Sequence, residues 1–276
     1  DNPILRVTLT VDEVLQEARA LKTEGFRNVL LVAGEHPRFV ANSYLAECVR
    51  ALRREIPAVS LEVGPMEVAD YEPIVTAGGE GLVVYQETYD RAAYASVHLA
   101  GKKKDFDWRL ATPERGAEAG MRRLGIGALF GLGDWQSDGL HLAAHAAYLA
   151  RLAWRASITV SLPRLRPAEF ADTRPRYPVT DRELVQLVGA LRTLLPDVGI
   201  VLSTRERAAL RDGMLRVGVT QVSAGSRTEP GGYSRPDESG GQFEVEDPRN
   251  PEEVAEAIRR AGLDPVWKDW ETVLHG

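Results

Sequence analysis

The sequence predicts an α/β barrel of the (β/α)8 type that lacks its first strand. Segments of strand character alternate with segments whose apolar residues recur at helical spacing, which is typical of βα units around a parallel sheet. A chain of 276 residues lies within the size range of barrels that form one domain. The pattern opens with a helix and holds one strand fewer than helices, so we expect the missing strand to be the first.

The helices follow from start signals and apolar spacing. Thr10 and Glu13 have the spacing of a capping box, and Thr180 and Glu183 repeat it further along. Thr112 opens another helix, with proline at the first helical position. The helices are predicted at residues 11–24, 42–55, 67–77, from 112 onward, 138–154, 180–194, 205–215 and 251–261.

The strands are short apolar runs bounded by glycine, proline and polar residues. They are predicted at residues 28–33, 59–63, 81–85, 124–129, 157–161, 199–202 and 218–223. Residues 89–111 are predicted as a longer polar insertion. Residues 1–262 should form the barrel domain, and residues 263–276 an amphipathic, aromatic tail that packs on it.

Composition excludes several classes of protein. Apolar residues make up 44% of the chain and charged residues 27%, as in an ordinary globular protein. A net charge of −6 argues against nucleic-acid binding, and the basic run Lys102–Lys104 is followed at once by acidic residues. The single cysteine permits no internal disulfide, and neither a membrane span nor a signal pattern is present. We therefore expect a cytoplasmic protein.

Charged and hydroxyl side chains follow the predicted strands where each one ends. In barrels of this type the active site lies at the carboxyl ends of the strands. A carboxylate there can accept hydrogen bonds from an ammonium group, and a guanidinium can bind a carboxylate through two bonds. The ring therefore suits a zwitterionic ligand. It consists of Glu35, Glu62, Glu87, the stretch 127–134, Ser161, Arg164, Arg166, Ser203, Arg205, Ser223 and Ser226.

Six longer segments share one family resemblance. They are VYQETYD (84–90), KKDFDWRLATPERGAEAGMRRLGIGALFGL (103–132), SLPRLRP (161–167), LSTRE (202–206), VSAGSRTEPGGY (222–233) and PVWKDW (265–270). Together they resemble the radical S-adenosylmethionine aromatic amino-acid lyases, over essentially the whole chain. The nearest resemblance is to the tyrosine lyases of thiamine thiazole biosynthesis.

The resemblance implies a reaction and its participants. A 5′-deoxyadenosyl radical, formed from S-adenosylmethionine at a [4Fe-4S] cluster, would start cleavage of the Cα–Cβ bond of L-tyrosine. The products would be 2-iminoacetate (dehydroglycine) and p-cresol. The implied partners are thiazole synthase and an electron donor protein.

The resemblance also implies site residues, although the catalytic proton donor or acceptor is not among them. Those for S-adenosylmethionine are Gly34 and Glu35 for the methionyl amino group, Glu87 for the ribose, Arg109 for the methionyl carboxylate, and the backbone of Ile126, Gly127 and Ala128 for the adenine. Those for the tyrosine substrate are Arg164, Ser203, Arg205 and Ser223. Ala33 departs from the Gly-Gly-Glu form that is commonest in the superfamily.

The cluster ligands of the family are three cysteines spaced Cx3Cx2C after the first strand, and this sequence has no such motif. Cys48 falls inside a predicted helix, where a small core residue is expected. We therefore expect a chain that begins after the cluster loop and is inactive as it stands.

Other functions stay open at this stage. Within the family, a tryptophan lyase or a hydrogenase-maturation tyrosine lyase is possible, although the latter carries a cysteine-bearing C-terminal extension. A cluster-independent barrel lyase would need a strand-end lysine or a metal set, for which only His141 and His145 have a suitable spacing. A non-catalytic interaction module could use the C-terminal tail or the 102–107 insertion.

Overall fold

The computed structural model describes residues 7–34, 36, 39–166, 175–235 and 245–268. Within these ranges, seven parallel strands form one sheet in chain order, so that each strand pairs with the strands before and after it. The strands are β1 Asn28–Val32, β2 Ala58–Glu62, β3 Gly81–Val83, β4 Arg123–Gly127, β5 Ser157–Ser161, β6 Gly199–Leu202 and β7 Gln221–Val222. This order is the βα repeat that the sequence predicts, and β1 and β7 are the edges of the sheet.

Helices connect the strands, and side chains cap several of their starts. The helices are α1 Val11–Thr23, α2 Asn42–Leu52, α3 Val68–Thr76, α4 Arg91–Val97, α5 Phe106–Leu110, α6 Thr112–Glu118, α7 Trp135–Leu152, α8 Asp181–Leu194, α9 Ala208–Met214 and α10 Pro251–Arg260. The predicted capping boxes at Thr10 and Thr180 are both present. No helix among the described residues is both long enough and apolar enough to cross a membrane.

The predicted polar insertion at 89–111 contains α4, α5 and a short 3-10 helix at Lys102–Lys104. Asp90 starts α4 by accepting hydrogen bonds from the backbone amides of Ala92 and Ala93. Asp105 starts α5 by accepting from the amide of Trp108. Both are aspartates at the N-cap position, where a carboxylate satisfies amides that have no partner inside the helix. Cap residues inside a polar stretch are easily mistaken for loop residues.

The two faces of the sheet differ in side-chain size. Side chains on the helix-facing side, such as Leu61, Leu124 and Val160, are fully buried in the hydrophobic core. The concave face instead carries small residues at matching register positions. One row across neighbouring strands reads Glu62, Val83, Gly125, Thr159 and Gly199. Because side chains alternate along a strand, this composition leaves space on the concave face while the opposite face packs densely.

The C-terminal segment returns to the beginning of the sheet. The Trp267 ring packs edge-to-face on Phe26, with ring centroids 5.3 Å apart. The backbone carbonyl of Trp267 accepts a hydrogen bond of 3.2 Å from the side-chain amide of Asn28. The described part of the predicted tail thus lies on the barrel beside β1. The boundary between residues 262 and 263 stays a prediction, and residues 269–276 are outside the described ranges.

Candidate active site

The turn that follows β3 presents a carboxylate on an unusual backbone. Glu87 has φ of 71°, a conformation that side chains other than glycine rarely adopt. Its carbonyl accepts a hydrogen bond of 2.7 Å from the amide of Leu129, beyond β4. Its carboxylate pairs with Arg109 of α5, with 3.1 Å between Oε1 and Nη2. A residue held in a strained conformation next to a buried arginine is typical of a functional site.

Arg109 connects α5 to the same turn. Its Nε donates a hydrogen bond of 2.6 Å to the backbone carbonyl of Tyr85, so the guanidinium is fixed from two sides. The Arg109 side chain is 8% exposed, whereas the Glu87 side chain is 25% exposed. The carboxylate of this pair therefore retains an accessible surface.

Glu62 is the second carboxylate of the concave face, at the end of β2. Burial is the main cause that raises the pKa of Glu62, and the nearby charge of Glu87 raises it further. Arg205 and Arg109 act on Glu62 in the opposite direction. Burial lowers the pKa of Arg205, while Tyr85 and the two glutamates oppose that effect. These groups therefore share one electrostatic environment at the carboxyl ends of β2, β3 and β6.

Gly127 leaves room for the aromatic ring of Tyr85. A Cβ at Gly127 would lie 2.9 Å from Cδ1 of Tyr85 and 2.8 Å from the carbonyl oxygen of Ser161. No larger residue fits without displacing the ring or the neighbouring strand. Ile126 and Ala128, on either side, point into the buried core. Only Gly127 of this triplet thus lies on the concave face, and the adenine contact of the three backbones stays a prediction.

The first strand brings the predicted AGE stretch (33–35) next to Glu62. The amide of Ala33 donates a hydrogen bond of 3.0 Å to the carbonyl of Glu62. Apart from its chain neighbours, none of the described residues has an atom within 4 Å of a Cβ built on Gly34. Glu35 lies outside the described residues, and its assignment to the methionyl amino group remains a prediction.

The four predicted substrate residues lie in the turns that follow β5, β6 and β7, and they have different partners. The Ser203 hydroxyl accepts a hydrogen bond of 3.4 Å from the amide of Arg205, so these two share the turn after β6. The Ser223 carbonyl accepts from the buried guanidinium of Arg211. The charge of Arg205 interacts with those of Glu62 and Glu87.

Arg164 instead belongs to a buried ion-pair network. Its Nε donates a hydrogen bond of 2.8 Å to Oε1 of Glu206, and its Nη2 contacts the other carboxylate oxygen. The same Nη2 lies 2.9 Å from Asp181, and Nη1 donates to the carbonyl of Val179 at 2.9 Å. Every nitrogen of this guanidinium thus has an internal partner. Its charge is already balanced by the buried Glu206 and the partly exposed Asp181, and a contact of Arg164 with the substrate stays a prediction.

Sequence reasoning placed Glu62 only in the ring of strand-end residues, and it missed Tyr85. Both follow from register, because alternate residues of β2 and β3 face the concave side. The signal was available: Glu62 is the last residue of its strand, and Tyr85 stands two residues before Glu87.

The residues present fit S-adenosylmethionine but not an iron–sulfur cluster. A partly exposed carboxylate beside a fixed arginine, above an open glycine-rich face, suits a ligand with hydroxyl, ammonium and carboxylate groups. No group of three histidine, cysteine or acidic side chains in the described ranges could hold a metal. Cys48 lies in α2 and is fully buried in the hydrophobic core. The cluster therefore has no ligand set in this part of the molecule.

Comparison with known proteins decides the family. The chain is 41% identical over 274 residues to 2-iminoacetate synthase of Escherichia coli (strain K12), covering 99% of this chain and 72% of that protein. The Salmonella typhimurium (strain LT2) 2-iminoacetate synthase is 40% identical over the same share of both chains. The chain belongs to the 2-iminoacetate synthase family.

Further similarities agree with this family. Residues 161–264 match the Biotin and Thiamin Synthesis associated domain. The crystal structure of HydG, a maturase of the [FeFe]-hydrogenase, superposes with a TM-score of 0.91 at 31% identity, covering 99% of this chain and 61% of that one. HydG from Carboxydothermus hydrogenoformans gives a TM-score of 0.89 at 37% identity, covering 97% of this chain and 62% of that one.

The chain thus spans less than two thirds of either HydG chain. The predicted fold class is confirmed, as is the predicted family of radical S-adenosylmethionine carbon–carbon lyases. Membership of this family implies S-adenosylmethionine and an iron–sulfur cluster as cofactors.

Proposed function

We propose that the protein containing this chain cleaves the Cα–Cβ bond of L-tyrosine to 2-iminoacetate and p-cresol, and so supplies thiamine thiazole synthesis. The observation that carries the proposal is the 41% identity to a 2-iminoacetate synthase across 99% of the chain. The match to a thiamin-associated domain over residues 161–264 supports the same pathway.

We assign S-adenosylmethionine to the space above the ends of β1 to β4. Glu87 would accept hydrogen bonds from the ribose hydroxyls, and Arg109 would hold the methionyl carboxylate. Gly34 and Glu35 would receive the methionyl amino group, and the 126–128 backbone would lie against the adenine. When bound, S-adenosylmethionine with a [4Fe-4S] cluster supplies the radical that starts the reaction.

We place the tyrosine substrate beside Arg205, on the side of the pocket formed by β5 to β7. A guanidinium at the end of β6 suits the amino-acid carboxylate, and Ser203 belongs to the same turn. Glu62 faces the same space, and its carboxylate is suited to accept a hydrogen bond from the substrate ammonium group. Tyr85, above Gly127, forms an aromatic wall between the two ligands.

The proposed partners follow from the reaction. The 2-iminoacetate product is a reactive imine, which favours delivery to thiazole synthase, and reductive cleavage needs an electron donor protein. The exposed surface outside the pocket, including the 102–107 insertion, is where either could bind. The cytoplasm would provide the reducing conditions that this chemistry requires.

A direct assay tests the reaction. The full-length protein would be reconstituted anaerobically with iron, sulfide and S-adenosylmethionine, and then given tyrosine or tryptophan in separate reactions. We expect p-cresol from tyrosine and no indole product from tryptophan. An indole product without p-cresol would instead assign the protein to the tryptophan lyases.

A hydrogenase-maturation tyrosine lyase is the second candidate, because the two HydG structures superpose closely on this chain. Both candidates release p-cresol, so the second product separates them. Accumulation of glyoxylate, the hydrolysis product of 2-iminoacetate, supports the thiamine reading. Formation of carbon monoxide and cyanide would support the maturation enzyme.

A further inference from the structure

The first turn of α7 packs against the turn that carries Glu87. Asp138 of this helix is 1% exposed, which is unusual for an unpaired carboxylate. Its Oδ1 accepts a hydrogen bond of 3.0 Å from the hydroxyl of Thr88 and one of 2.7 Å from the amide of Tyr89. Asp138 therefore binds the two residues that directly follow Glu87.

The turn from Glu87 to Asp90 contains one further internal hydrogen bond. The hydroxyl of Thr88, which donates to Asp138, also accepts a hydrogen bond of 3.1 Å from the amide of Asp90. Thr88 is fully buried, so water does not replace either partner easily. The Asp138 carboxylate thus holds this turn through the Thr88 hydroxyl and the Tyr89 amide.

Gly133 packs closely against Asp138 and Thr88. A Cβ at Gly133, just before α7, would lie 2.8 Å from Thr88 Oγ1 and 2.9 Å from Asp138 Oδ2. Only glycine therefore fits at this position while Asp138 and Thr88 stay in contact. Among the described residues, Oδ2 of Asp138 has no hydrogen-bond partner, and it is buried, so the carboxylate is not stabilised by solvent.

A second contact between α7 and the turn lies two helical turns further on. The Tyr89 hydroxyl and Nδ1 of His145 are 2.9 Å apart, and burial lowers the pKa of His145 to about 4. The neutral imidazole can therefore accept the tyrosine proton in a hydrogen bond at neutral pH. Tyr89 is thus held at its hydroxyl by His145 and at its backbone amide by Asp138.

We propose that Asp138 is a positioning residue for Glu87. By binding Thr88 and the Tyr89 amide, it keeps Glu87 in its positive-φ conformation, with the carboxylate beside Arg109 and directed at the nucleoside. The inference rests on the proposed function, because it takes the ribose of S-adenosylmethionine as the ligand of Glu87. The structure supplies the physical reason: a strained residue persists only where its neighbours fix it.

Adenosyl-ligand binding tests the proposal without relying on turnover. S-adenosylhomocysteine would be titrated calorimetrically into the reconstituted full-length protein and its variants under anaerobic conditions. We expect Asp138→Ala to weaken binding by about ten- to a hundredfold, since a charged acceptor of two hydrogen bonds is lost. Asp138→Asn keeps the accepting oxygen and should stay within about threefold of the wild type.

The matched control is Ser137→Ala on the same turn of α7, where the side chain is exposed. It should leave binding unchanged. Thr88→Val is a second variant of nearly the same shape. It removes the hydroxyl that donates to Asp138 and accepts from the Asp90 amide, and it should weaken binding in the same direction. It keeps the proposal testable if Asp138→Ala does not fold.

Amide hydrogen exchange of the ligand-free protein gives an independent measurement. Asp138→Ala should speed exchange at Tyr89 while leaving the core strands β4 and β5 protected, and Asp138→Asn should restore protection. Unchanged affinity and unchanged exchange in Asp138→Ala would overturn the positioning role.

Glu87→Gln separates failure of this inference from failure of the proposed function. If Glu87→Gln binds S-adenosylhomocysteine as tightly as the wild type, the assigned nucleoside site is wrong. If Glu87→Gln loses affinity but Asp138→Ala and Thr88→Val do not, the site stands and the positioning role is rejected.

Discussion

Two arginine–glutamate pairs lie at the same end of the sheet and differ in what surrounds the carboxylate. In the Arg109–Glu87 pair the glutamate side chain is 25% exposed. In the Arg164–Glu206 pair it is 1% exposed and contacts Arg166 as well. The first carboxylate has surface left for a ligand, and the second has none.

The comparison teaches that residue type and strand-end position do not determine a role. A buried carboxylate must be neutralised by its neighbours, so Glu206 fixes Arg164 and Arg166 into a structural network. Arg166 also donates a hydrogen bond of 3.3 Å to the carbonyl of Arg205. The network therefore supports the turn that presents Arg205, while the Glu87 carboxylate of the other pair stays partly exposed.

The largest expected effect comes from breaking the buried pair. Glu206→Leu leaves Arg164 without its main counter-ion, and we expect a loss of about 3–5 kcal/mol in the free energy of unfolding. Chemical denaturation measures this value. Glu246→Leu is the matched control, because Glu246 meets Arg166 only at 3.9 Å near the surface. Equal losses in the two variants would show that burial does not distinguish the pairs.

Arg109→Met should act on ligand binding more than on stability. We expect affinity for S-adenosylhomocysteine to fall by about 2–4 kcal/mol, because the partner of Glu87 and a charged donor disappear together. Calorimetric titration measures the change. Arg91→Met, in the same insertion, removes an exposed pair with Asp107 and should cost little in either quantity. A large loss of stability in Arg109→Met without a loss of affinity would make this pair structural too.

Lowering the pH should reduce the free energy of unfolding through His145, whose ring contacts Tyr89 in the turn that carries Glu87. The pKa of His145 is lowered to about 4 in the folded state by burial, so the unfolded chain binds more protons between that pH and the ordinary histidine value near 6.5. The stabilising contribution is therefore complete above about pH 6.5 and is lost as pH falls towards the folded pKa, by up to about 3 kcal/mol.

Unfolding midpoints measured between those limits test this dependence. His145→Asn can still accept from the Tyr89 hydroxyl but does not titrate, and its midpoint should depend less on pH. The exposed His141 lies on the same helix, so His141→Asn should keep the slope of the wild type. An unaltered slope in His145→Asn would assign the pH dependence to other groups.

The smallest expected effect is the loss of stability caused by Gly127→Ala on the concave face. Gly127→Ala forces a methyl group against Tyr85 and the Ser161 carbonyl, and should cost about 1–3 kcal/mol of stability. Gly213→Ala in α9 has open space and should be neutral or slightly stabilising. Thermal unfolding of both variants checks the contrast, and a neutral Gly127→Ala would mean that Tyr85 can move aside.

Much of the fold was predictable because local chemistry specifies it. The capping boxes at Thr10 and Thr180 follow from spacing alone. Strand lengths were less predictable, since β3 ends at Val83 and β7 contains only two residues. Hydrogen bonding to neighbouring strands, which a local pattern does not contain, sets those limits.

The candidate site, like the fold, was predictable only in part. Sequence and resemblance predicted Glu87, Arg109 and Arg205 as site residues, because they lie within continuous motifs beside strand ends. Arg164 was assigned to the substrate by the same reasoning, although its partner Glu206 is 42 residues away. A motif contains no information about such distant partners.

The sequence by itself determined the βα order, the helix starts and the family to which the chain belongs, because each depends on neighbouring residues or on shared motifs. Only the tertiary structure decided which charged strand ends remain available to a ligand. That property depends on the burial of each carboxylate and on how many arginines reach it from other elements. Asp138 is a further case that a local motif does not contain. It supports Glu87 through Thr88, which is fifty positions away in the sequence.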